Sequence, residues 1–264
     1  MANNPIPALT FTLVPEGDNV SLDAMLNALK SVRTLAQDVD LAVTRRTRGR
    51  RWVVTDLHSS APTITIRPAT EDEGVVAFIG HGLRELTIEA PTAPPANFTE
   101  DALMDVRGLS RLFTGPQRLD RILFSINGDA VAEVTETIAQ TVDHVLRSGY
   151  ETYTSLEGNL EAINIHGRQS FTIWERSTGL PVQCEMPKGD PHWRERVRNL
   201  LGNRVMVTGR VKYFGNGIPR RVKELEDIRD MTPDESLPKA EFGSIPDITG
   251  GQESVAYLRV VRGE

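Results

Sequence analysis

The stretch Thr154-Ser-Leu-Glu-Gly-Asn-Leu-Glu-Ala-Ile-Asn164 governs how the carboxy-terminal half reads. It is long for a strand, and Gly158 marks a bulge or bend within it. Four more β-rich runs follow. Ser170 to Glu175 is the second, and Ser177-Thr178-Gly179 turns the chain into the third, Leu180 to Met186. After the break at Pro187 to Pro191, His192 to Leu201 reads as a helix with Val197, Leu200 and Leu201 on its apolar side, closed by Gly202-Asn203. The fourth run is Arg204 to Phe214, then the tight turn Gly215-Asn216-Gly217, then the fifth run, Arg220 to Ile228. By the period of two, Phe171, Ile173, Val205, Val207, Val211 and Tyr213 point inward, and Trp174, Arg210, Lys212 and Phe214 point outward.

Three strands, a helix and a hairpin, opened by a glycine-bearing strand, is the order of an OB-fold. Residues 154–231 accordingly resemble the OB-fold barrels of nucleic-acid-binding and adaptor proteins. With the run Ser155-Leu-Glu-Gly-Asn-Leu-Glu-Ala-Ile-Asn-Ile-His-Gly, the region is also similar to uncharacterised prokaryotic proteins of toxin–antitoxin, mobile-element or defence settings. The resemblance implies an OB-like five-stranded β-barrel over 150–231 that binds through its outer face. The loop holding His166, Gly167, Arg168 and Gln169 would flank the groove.

Upstream, residues 1–149 read as a mixed α+β domain. Leu9 to Val14 is a short β-type run. Ser21 suits a helix N-cap, and Leu22, Met25, Leu26, Leu29, Val32 and Leu35 make one apolar stripe. Two β-rich runs follow, Val39 to Thr44 and Trp52 to Leu57, which would form a hairpin with a basic tip of Arg45, Arg46, Arg48, Arg50 and Arg51 around Gly49. Thr63 to Arg67 alternates as a strand, and Val75 to Leu86 reads as a helix despite Gly80 and Gly82. Beyond the stiff connector Ala90-Pro-Thr-Ala-Pro-Pro-Ala96, Thr99 opens a helix with acid in its first turn. Asp120 to Ile126 is a strand, Asn127-Gly128 a turn, and Glu136 to Arg147 a helix stopped at Gly149.

Composition narrows the function classes. The chain has 264 residues, 39 % hydrophobic and 25 % charged, with a net charge of −6. Residues 1–150 carry 14 basic and 19 acidic side chains, 151–231 carry 13 and 11, and 232–264 carry 3 and 6. A protein held to nucleic acid by bulk charge would be basic, so any such site must be local. The lone Cys184 excludes an intrachain disulfide. Together with a start, Met1 to Leu13, that lacks a basic, apolar leader, it sets the expectation of a reducing cytoplasm. No run approaches the length of a membrane span.

Enzyme signatures are thin. Phosphate loops, dinucleotide fingerprints, metalloprotease helices and nucleophile elbows do not occur. One cysteine rules out multi-cysteine zinc sites, and no two histidines stand at helical metal-ligand spacing. Asp56, His58 and Ser59 lie close at a strand end, where polar capping accounts for them. The expectation is a non-enzymatic adaptor, without cofactor or metal, that engages a protein partner; no membrane is involved. The alternatives are a single-stranded nucleic-acid binder, and an enzyme with its site in the amino-terminal domain. For either kind of binding, Arg168, Trp174, Arg210, Lys212 and Phe214 combine stacking surface with positive charge, and the five arginines of the basic tip add a second patch. In the tail, a linker at 232–238 leads to a short helix-prone segment, where Phe242, Ile245, Tyr257 and Leu258 suit a partner-binding element.

Overall fold

The computed structural model describes residues 7–46, 49–58, 62–70, 74–88, 91–115, 118–167, 169–188 and 190–232. The tail with Phe242, Ile245, Tyr257 and Leu258, and the loop residues Arg48 and Arg168, lie outside these described residues. The fold contains both helices and strands, arranged around two five-stranded sheets.

The first sheet is antiparallel in the order β2-β3-β1-β4-β5, built from β1 (Leu9–Pro15), β2 (Trp52–His58), β3 (Thr63–Pro68), β4 (Leu119–Ile126) and β5 (Asp129–Val134). Alternation sets its faces. Leu9, Phe11 and Leu13 on β1, Ile64 and Ile66 on β3, and Ile122 and Phe124 on β4 are buried under the helices. The opposite face is hydroxyl-rich, with Thr10 bonded to Thr65 and Thr12 to Thr63, each at 2.9 Å.

Four helices cover the apolar face: α1 (Leu22–Thr44), α2 (Val75–Ile88), α3 (Glu100–Leu109) and α4 (Ile138–Arg147). Ser21 caps α1 by accepting the Ala24 N–H, and Thr99 caps α3 by accepting that of Ala102. The two glycines inside α2 are there for closeness. A Cβ at Gly82 would collide with the Phe98 ring, and one at Gly80 with Ile126.

One expectation fails here. Val39 to Thr44 is not a strand but the last turns of α1, which ends at Arg45 in the left-handed region, with φ 53°. The stripe Val32, Leu35, Ala36, Val39, Ala42 keeps the helical spacing and is buried throughout. Packing therefore overrides the β preference of Val39, Val43 and Thr44. The expected basic hairpin therefore lacks its first strand, because α1 continues to Thr44 before β2 begins at Trp52.

The second sheet comprises β6 (Tyr150–Asn164), β7 (Ser170–Glu175), β8 (Pro181–Glu185), β9 (Arg204–Tyr213) and β10 (Pro219–Asp230), with α5 (Pro191–Asn199) after β8. Its order is β10-β8-β7-β6-β9, and β9 pairs back onto β10, so the sheet closes on itself. β10 meets β8 in parallel, and the other pairs are antiparallel. Inside lie Leu160, Phe171, Ile173, Val182, Cys184, Val205, Val207, Val211, Val222 and Ile228. Gly158 permits the tight crossing of β6 and β7, because a Cβ there would run into the Trp174 carbonyl oxygen. Residues through Met231 form one compact unit with two hydrophobic cores, and Phe214 belongs to the first core although it follows β9. Among the described residues, no helix is long and apolar enough to cross a membrane.

Candidate functional site

The outside of the closed sheet has two unlike aspects, and the expected binding residues divide between them. Trp174 does point outward, yet it is half-buried. With Glu161, Thr172, Pro181, Gln183 and Arg221 it faces Asp38 and Leu41 of α1 and the start of α3. The cleft between them measures about 180 Å³. Glu161 accepts a hydrogen bond from the indole, and burial pushes the Glu161 carboxyl above its ordinary value.

Phe214 corrects the expectation more sharply. It is 1 % exposed and packs in the amino-terminal core. β9 ends at Tyr213, so alternation no longer governs the next residue, and the chain turns the ring away from the closed sheet. The Arg220 guanidinium lies over that ring, 4.9 Å from its centroid. The same guanidinium donates to the Leu146 carbonyl at 2.8 Å and to Glu100 at 2.7 Å. Arg221 adds contacts at 3.4 Å to Glu100 and to Glu185. Arg220 and Arg221 thus lock β10 to α3. Their sequence signal, two adjacent arginines opening a strand, does not distinguish a lock from an exposed patch.

The four described arginines of the basic run also disperse. Arg50 is buried and corrects the expectation of a surface role. Its N–H donates to Asp40 at 2.6 Å, and its guanidinium sits 3.2 Å from the same fully buried carboxylate. Arg45 reaches the turn between β7 and β8, where a Cβ on Gly179 would collide with it. That turn is rigid. Glu175 accepts the N–H groups of Ser177 and Thr178 at 2.9 and 2.8 Å, and both hydroxyls besides. Burial alone would raise the Glu175 pKa, and these hydrogen bonds outweigh it, so the net shift is downward. Arg46 lines the cleft and Arg51 is exposed.

The other aspect is the outward row of β6, β9 and β10, which faces solvent. Register places Glu151 opposite Lys212 and Tyr153 opposite Arg210, and Lys223 of β10 lies opposite Arg210 on its other side. Tyr153 is 58 % exposed. Three cations in the row hold a carboxylate: Lys212 meets Glu151 at 2.7 Å, Arg210 meets Glu224 at 3.0 Å, and Arg204 meets Glu157. The hydrogen bond from Lys212 draws the Glu151 carboxyl below its usual range, and the Lys212 ammonium is raised in turn. Lys223 is lowered, first by Lys212 beside it. Ser155 and Thr208 bond across the same row at 2.7 Å. At the end of the sheet Tyr150 stacks on Tyr213, ring centroids 5.1 Å apart. Tyr150 and Tyr153 were absent from the expected set, although the run Tyr150-Glu-Thr-Tyr153 opens the longest strand.

Asp56 and His58 form a local pair at 2.8 Å on β2. Compared with protein-family models, curated proteins and solved structures, the chain matches none.

Proposed function

We propose that this chain is a non-enzymatic binding protein whose closed sheet is an OB-type barrel and whose partner is another protein, met on the outward row of β6, β9 and β10. The strand order and the parallel β8–β10 pairing support the OB reading. The observation that carries the choice of partner is the state of the cations in that row. Lys212, Arg210 and Arg204 each already hold a carboxylate, so a phosphate chain would have to displace them. A face whose arginines already meet carboxylates around an exposed tyrosine suits a protein surface, where Tyr and Arg concentrate binding energy. The Trp174 aspect, which a single strand would need for stacking, is turned toward α1 and α3.

A photo-crosslinking amino acid in place of Tyr153 should capture a protein adduct in the native host, and the capture should weaken when Arg210→Glu is added. Fluorescence anisotropy with labelled single-stranded oligonucleotides at two salt concentrations should show no salt-dependent binding. Steep salt dependence would move the reading to nucleic acid.

A further inference from the structure

The two edges of the first sheet are unlike. β5 ends the sheet with exposed Asp129 and Glu133, charges that repel a second copy of themselves. β2 ends it with apolar side chains in solvent: Val54 is 51 % exposed and Leu57 58 %. Among the described residues β2 pairs with β3 alone. The Arg51 carbonyl accepts the Ala69 N–H at 2.8 Å, on the β3 side. By alternation, the amide and carbonyl groups of Trp52 and Val54 then point away from the sheet. That edge carries backbone donors and acceptors beside apolar surface, the combination that strand addition uses.

We propose that β2 pairs antiparallel with β2 of a second copy of this chain, joining the two open sheets across a two-fold axis. Charge complementarity selects the occupant. β2 has exposed Arg51 at its start and Asp56 with His58 at its end, so antiparallel pairing sets each Arg51 against the acidic end of the other strand. Asp56 Oδ1 now holds the Leu57 N–H at 2.9 Å. On pairing, that N–H passes to an incoming carbonyl and the carboxylate turns to the partner's arginine. The bulge between Val54 and Asp56 twists the strand there. A β2–β2 contact is isologous and closes at two copies, whereas β2 against β5 would propagate without end.

Sedimentation equilibrium of the full chain over a concentration series tests this. The wild type should give twice the chain mass, falling toward once on dilution. The double variant Val54→Lys, Leu57→Lys should sediment at once the chain mass, with circular dichroism unchanged because both side chains are already exposed, and with an unfolding midpoint that no longer rises with protein concentration as the wild type's does. Val54→Cys should form a disulfide-linked dimer under mild oxidation, since the native Cys184 is buried. A wild type that stays monomeric at every concentration, as it would if the edge served a different protein, overturns the proposal. So does a dimer that the double variant leaves intact.

Discussion

The two sheets contain five strands each and treat charge in opposite ways. The open sheet hides one face beneath four helices, and within that layer it buries Asp40 with Arg50 and crowds Asp38, Asp101 and Asp105 where α1 meets α3. The closed sheet hides its interior, and its ion pairs ride outside, strand to strand. A charged residue therefore means different things in the two regions. In the helix-covered half it can be a structural member whose partner must stay. On the solvent-facing row of the closed sheet, around Arg210 and Lys212, it is a rim contact that water can replace.

That contrast can be broken by measurement. The largest effect belongs to Asp40→Ala, which removes the buried carboxylate that the Arg50 amide and guanidinium both meet. Urea unfolding should show a loss of about 3–5 kcal/mol. Gly158→Ala tests the closed half through backbone rather than charge. A Cβ meeting the Trp174 carbonyl oxygen would force β6 and β7 apart, and should cost about 2–3 kcal/mol. A third effect depends on pH. Burial, and then Asp105 and Asp101, raise Asp38 from 3.8 to about 7. The native state therefore holds a proton that the unfolded chain releases. The stabilisation is full below 3.8, drains as pH rises and is gone above about 7. Stability measured between pH 4 and 8 should fall with rising pH, and Asp38→Asn should flatten the slope. The smallest effect is Lys212→Ala, where loss of a half-exposed pair should cost about 0.2–1 kcal/mol. If Lys212→Ala cost as much as Asp40→Ala, the distinction between the two halves would fail.

The strands of the closed sheet were legible because alternation there is tied to a single interior: Phe171, Ile173, Val205, Val207 and Val211 all point where their spacing says. The signal weakened wherever a second surface competed. Val39 to Thr44 carried strand-like residues on a helical period, and the period prevailed. Asp129 to Val134 forms β5 with little β-branched content, held by pairing with β4 rather than by preference. Phe214 escaped because it lies one residue past its strand and serves the other core. Of the candidate residues, Arg210 and Lys212 stand outward as the spacing requires. Arg50 could not be told from its neighbours, since burial of one arginine in a basic run depends on an aspartate ten positions earlier.

The parallel seam between β8 and β10 has a consequence for synthesis. Until residues 219–230 have emerged from the ribosome, β8 and β9 each lack one of their two neighbours, and the cylinder cannot shut. A nascent chain halted before Pro219 would therefore expose two sticky strand margins at once, the state in which chaperones are recruited and misassembly begins. The last described strand acts as the latch that ends this vulnerable interval.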